Sequence, residues 1–210
     1  MLRNRPAGFL ISAFFCTFVI WMIASGAFGQ ARDVKRSAAA RAQGLAAWEQ
    51  VYSVLTHPRC ITCHTATAYP QQGDARQRHF ANVVRGPEGK GVPGLNCASC
   101  HQETNADSTG VPGGHNWHLA PLSMKWQDLN DKPLSSAAVC RAITDQSKNH
   151  NLDGPGLFKH HEGDALVLWA WQPGRRPDGT MRTLPPLTHE EFVGATRRWV
   201  EAGTPCSPGR

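Results

Sequence analysis

The sequence predicts a mainly α-helical domain with long loops, on three observations. Apolar residues recur at three- and four-residue steps around residues 45–55 and 192–199, the period of one helix face. Strict alternation, the mark of a half-buried strand, is absent over any useful length. Glycine, proline and polar residues fill the intervals between, and they punctuate secondary structure rather than propagate it.

The elements follow in chain order. "SAAARAQGLAAWEQVYSVLTHPRC" places Leu45, Trp48, Tyr52 and Leu55 on one face and stops at Pro58, which cannot continue a helical turn. From about 65 to 94 the chain reads as loop, and "NADSTGVPGGHNWHLAP" is another. In "PLSSAAVCRAIT", Ser135 or Ser136 can cap a short helix carrying Val139, Cys140 and Ile143. "GDALVLWAWQPG" is an apolar stretch ended by Pro173 and Gly174. "LTHEEFVGATRRWVEAG" is the clearest helix. Thr188 and Glu191 form a capping-box pattern, Phe192, Ala195 and Trp199 share a face, and Gly203 closes it before Pro205. So much loop argues against a compact domain, unless a large apolar group bound by the chain supplies part of the core.

The N-terminus predicts export. Arg3 and Arg5 precede an apolar run from Phe9 to about Phe28, which relaxes into small residues near Ala27, Gly29 and Ala31. That is the pattern of a secretory signal peptide over residues 1–31. The run is also close to the ~20 residues that span a bilayer, so an uncleaved N-terminal anchor is the alternative. Cys16 has no small residue before it and does not read as a lipid-modified cysteine. Residues 32–210 are expected to form one domain in the periplasm, with a membrane as partner only if the N-terminal segment is retained. The formal charge is +6, and with lysine and arginine scattered among acidic residues the chain shows no basic run. No nucleic-acid partner is expected.

Cys-x-x-Cys-His occurs twice, at Cys60 to His64 and at Cys97 to His101. In this frame the two thiols form thioethers to the vinyl groups of haem, and the adjacent histidine binds the iron. A zinc site is the competing reading. About thirty residues separate the pairs, longer than the ~15–20 of common zinc ribbons, and a four-thiolate site does not require the histidines. A thioredoxin-like exchange site fails because no βαβ pattern surrounds either frame. The sequence therefore predicts a dihaem c-type cytochrome. Its core would be organised around two covalently bound haem c groups, attached through Cys60, Cys63, Cys97 and Cys100, with His64 and His101 as proximal iron ligands. The seven tryptophans suit contact with porphyrin edges as well as ordinary packing.

The candidates for the opposite face of each iron are few. His118 and Met124, after the second frame, and His79, between the frames, are favoured. His160 and His161 are weaker candidates, His115 is a further candidate beside His118, and Met181 is a weaker option. Spacing assigns none of them to a particular haem, and a histidine in a surface loop is most often just that. His57 is too close to Cys60 to reach over its own haem and is expected to hydrogen-bond nearby backbone. Cys140 and Cys206 remain as a pair, and in an oxidising compartment a disulfide is the expectation. Closing that loop would contribute on the order of 4 kcal/mol.

"HPRCITCH", "VRGPEGKGVPGLNCASCHQ", "WHLAPLSMKW", "LVLWAWQPG" and "RRWVEAGTPC" resemble a family of small exported dihaem cytochromes c of proteobacteria, often labelled isoquinoline 1-oxidoreductase subunit. The resemblance covers nearly the whole of 32–210. It implies a redox partner protein, a dehydrogenase subunit of the molybdenum-hydroxylase type, and it does not make this chain the hydroxylase. The expected function is periplasmic electron transfer with no substrate of its own. The alternative is a dihaem enzyme with an open iron position, such as a peroxidase or a sulfur- or nitrogen-compound oxidoreductase.

Overall fold

The computed structural model describes residues 36–208. The expected export segment, residues 1–31, lies outside the described residues, and Cys16 with it. A compact unit begins at Gln43 and takes in the rest of the described chain. Helices predominate over very short strands, and among the described residues no helix is long and apolar enough to cross a membrane.

The helices are α1 (36–55), α2 (Pro58–Ile61), α3 (Ser136–Ile143), α4 (Gly154–Gly163), α5 (Ala165–Trp169) and α6 (His189–Glu201). Pro58 ends α1 as expected and then opens α2 at its first turn, where a missing N–H costs nothing. His57 caps α2, its Nδ1 accepting from the Arg59 N–H at 3.3 Å. Ser135 caps α3, and Thr188 with Glu191 closes the capping box of α6. The apolar stretch becomes α5, capped by the Asp164 carboxylate on the N–H groups of Leu166 and Val167. Sequence periodicity does not predict α4, because its ten residues include three glycines and a proline. Asp153 capping Gly156 N–H at 2.8 Å and Pro155 in the first turn start it instead.

The core joins α1, α3, α4 and α6. Trp48, Val51, Val54 and Leu55 of α1 meet Val139 and Ile143 of α3, Leu157 of α4, and Phe192, Ala195 and Trp199 of α6. Trp48 and Trp199 stand 4.8 Å apart, and each indole N–H is satisfied, by Ser136 Oγ and by the Pro205 carbonyl. Gly44 permits the approach of α1 to the C-terminal segment, since a Cβ there would lie 2.5 Å from that of Ala202. Cys140 of α3 is joined to Cys206, just beyond α6, by a disulfide.

The predicted loops differ from expectation in one respect. They contain two antiparallel ladders of two residues each, β1 (Gln71–Gln72) with β2 (Gln77–Arg78), and β3 (Gly91–Val92) with β4 (Leu95–Asn96). Two residues are too few to show alternation, so no strand signal exists to read. Pro93-Gly94 at the second turn, with Gly94 at φ 84°, has the type II signature.

The rest of the loop is pinned by polar side chains. Gln127, fully buried, donates to Thr65 Oγ1 and Gln71 Oε1 at 2.8 and 3.0 Å and accepts from Arg76. Arg85 donates to the carbonyls of Thr65, Thr67 and Ala120. The Arg85 bonds satisfy backbone carbonyls that the short ladders leave unpaired.

Candidate functional site

The first frame begins within α2, at its third residue, Cys60. The turn of α2 carries Cys60, and Cys63 and His64 follow it, with Cys63 N–H and His64 N–H both donating to the Cys60 carbonyl. The three side chains line a cavity of about 340 Å³ that Leu55, Ile143, Leu157 and Phe192 also line. That volume lies within the ~300–1,000 Å³ range of ligand pockets. Cys60, Cys63 and His64 keep some accessible surface because one side faces this cavity, while protein encloses them elsewhere.

His64 is fixed by two contacts. Its Nδ1 lies 2.6 Å from the Met124 carbonyl, and its ring stacks on Trp126 at 3.4 Å between centroids, with planes 5° apart. Burial, partly opposed by the Met124 carbonyl, pushes its pKa down to about 3. The ring is therefore neutral. A carbonyl only accepts, so Nδ1 carries the proton and Nε2 presents a bare lone pair.

The second frame repeats the arrangement in a more open setting. Cys97 begins a 3₁₀ turn, Cys97–Ser99, capped by Asn96, and Cys100 is exposed. His101 Nδ1 lies 2.7 Å from the Pro112 carbonyl, and its ring stacks on Trp117 at 4.6 Å and 8°. Burial lowers its pKa, against the opposing effect of the Pro112 hydrogen bond. Here too the free nitrogen is Nε2. Gly89, at φ 72°, lets the loop approach the segment after Trp117, where a Cβ would meet the Leu119 carbonyl at 2.3 Å, and its own carbonyl lies 3.7 Å from Cys97 Sγ.

The two frames adjoin. Trp117 meets Trp169 of α5 edge-on at 4.9 Å, and the Arg59 guanidinium lies 5.8 Å from the Trp169 ring. Burial raises the Cys63 thiol to about 11, and nearby Cys97 adds to the rise. Cys60 is pushed up to about 12, again by burial first. Neither buried thiol has the lowered pKa that an exchange nucleophile needs. Among the described residues, no three or more His, Cys, Asp or Glu side chains gather as a metal-ion site.

The candidate opposite ligands divide between the frames. His118, Met124, His160 and His161 line the first cavity with His64. His161 is the most enclosed, 2% exposed, with Nδ1 held by Thr196 Oγ1 at 2.9 Å. Burial pushes its pKa down to about 3. His160 lies on the same helix, its Nδ1 3.6 Å from Asp164. Met124 serves His64 through its carbonyl, on the ring edge away from Nε2. His79 instead lies beside His101. His115 is exposed and paired with Glu103, and Met181 is 56% exposed.

Sequence reasoning missed several supports of the site. The stacking partners Trp126 and Trp117, the Arg85 clamp, and Asp74, which bridges Arg59 and Arg176, reach their partners through loop closure. No local spacing signals them. No family model, no curated protein and no solved structure matches this chain.

Proposed function

We propose that the chain is an exported electron-transfer protein, a dihaem cytochrome c that works with a redox partner protein. The observation that carries the reading is the pair of Cys-x-x-Cys-His frames in which each histidine has Nδ1 tied to a carbonyl, a tryptophan stacked on its ring, and Nε2 left free. Fixing one imidazole nitrogen to orient the other is how proteins prepare a metal-binding histidine. The cavity beside the first frame, walled by Leu55, Ile143, Leu157 and Phe192, gives that frame an enclosed apolar space of about 340 Å³.

In this reading Cys60 and Cys63 hold one haem and Cys97 and Cys100 the other, with His64 and His101 as proximal ligands. The groups supply reversible one-electron chemistry at iron. The chain orients each imidazole, excludes water from the first site with its apolar wall, and keeps the two sites adjacent. The periplasmic setting and a dehydrogenase of the molybdenum-hydroxylase type as partner rest on the N-terminal pattern and the family resemblance.

The test is a pyridine haemochrome count and optical spectra of the purified exported protein, oxidised and reduced. Two covalent haems, low-spin in both states, are the expected result. A high-spin component that responds to peroxide, nitrite or carbon monoxide would replace the carrier with an enzyme having an open iron. Absence of a Soret band would overturn the reading altogether.

A further inference from the structure

His79 and His101 are neighbours, with ring centroids 6.0 Å apart and planes at 69°. Neither ring is stacked on the other, in contrast to the 4.6 Å parallel contact of His101 with Trp117. The separation is that of two imidazoles on opposite sides of one metal ion. A metal–nitrogen bond of about 2 Å and about 1.1 Å from nitrogen to ring centre, counted twice, give about 6 Å.

The hydrogen bonds agree with that arrangement. His101 Nδ1 meets the Pro112 carbonyl and His79 Nδ1 meets the Phe80 carbonyl, each at 2.7 Å. Both rings leave Nε2 without a hydrogen bond to any described residue. His79 is not loosely placed. Its N–H donates to the Pro70 carbonyl at 3.0 Å, at the end of the β1–β2 ladder. The turn that follows holds Ala81 and Asn82 at φ 62° and 53°, a region that non-glycine residues enter only under constraint. Phe80, which follows His79 and packs beside its ring, is 68% exposed.

We infer that His79 is the second axial ligand at the frame of Cys97, Cys100 and His101, which closes that iron with two imidazoles. The inference rests on the dihaem reading. Paired histidines set a lower potential than histidine with methionine. Any open position would then belong to the first site, where His118, His160 and His161 line the cavity.

The experiment compares wild type with His79→Ala and His79→Met as purified holoproteins. It uses haem counts, electron paramagnetic resonance, carbon monoxide binding and redox titration. In His79→Ala two covalent haems are retained, one of the two irons turns from low-spin to high-spin and binds carbon monoxide, and added imidazole restores it. In His79→Met both stay low-spin and one potential rises. With Cys60→Ala and Cys63→Ala also present, so that only the second haem remains, His79→Ala converts the whole signal. Two haems with unchanged spin state, carbon monoxide binding and potentials in both variants would reduce His79 to a surface neighbour and leave the carrier reading intact. Fewer than two haems in the wild type would overturn both readings together.

Discussion

At Asp74 one carboxylate meets two guanidinium groups, Arg59 on one oxygen and Arg176 on the other. Arg59 is 5% exposed and stands beside Cys60, so its charge has no water to fall back on. Burial lowers its pKa and Asp74 works against that lowering. Burial alone would raise the Asp74 carboxyl, but Arg59 and Arg176 hold it below the usual carboxylate range. Its contribution to stability is then fully present above the unfolded value of about 3.9 and is lost as pH falls through the lower folded value. Asp74→Asn removes the partner and leaves Arg59 buried and unpaired, which costs about 3 kcal/mol. Denaturant midpoints at neutral pH should show that loss. The same titration repeated toward pH 3 should show the wild type approaching the variant, because protonation removes the charge the substitution has already removed. A constant gap between them across that range would mean the ion pairs are not what Asp74 contributes.

The helices show which elements could be read from the sequence and which could not. Regular elements with their own caps were legible. The faces of α1 and α6, Ser135 at α3, and the Thr188–Glu191 box all rest on residues three or four apart. Elements without an apolar period of their own were not. α4 is written in glycine and proline, and β1 to β4 are two residues each. Of the candidate site, the thiols and the two histidines were legible because they recur in one fixed five-residue frame. Trp126 and Trp117 were not, because they reach their histidines across 62 and 16 positions of loop. The link between α3 and the segment after α6 belongs to this scale too. Cys140 and Cys206 close a loop with a sequence separation of 66, and a cross-link of that span stabilises by about 4 kcal/mol in the chain-entropy model. Replacing both by alanine should lower the denaturant midpoint accordingly while, in the dihaem reading, leaving the optical spectrum unchanged. A spectral change would show that α3 and α6 position the first site and do more than cross-link the chain.

Taken as a whole, the molecule treats its two Cys-x-x-Cys-His frames unequally. The first opens into a cavity whose wall comes from four helices, through Leu55, Ile143, Leu157 and Phe192, and those residues are also the core. The second sits among loops and short ladders, with Cys100 exposed. In the proposed dihaem reading, a group at the first frame would complete the core, whereas one at the more exposed second frame would not. Emptying a cavity of about 340 Å³ would cost up to about 8 kcal/mol if the walls stayed in place, at roughly 24 cal/mol per Å³. Collapse of the walls and entry of water past the cavity's histidines bring this to about 4 kcal/mol, or about 10 °C in Tm for a domain of this size. Cys60→Ala with Cys63→Ala should thus lower the thermal midpoint by that amount, and Cys97→Ala with Cys100→Ala by distinctly less. Calorimetry on the two single-haem proteins decides the order. Equal losses, or the larger loss at the second frame, would mean that the buried cavity is not where the chain draws its cofactor-dependent stability.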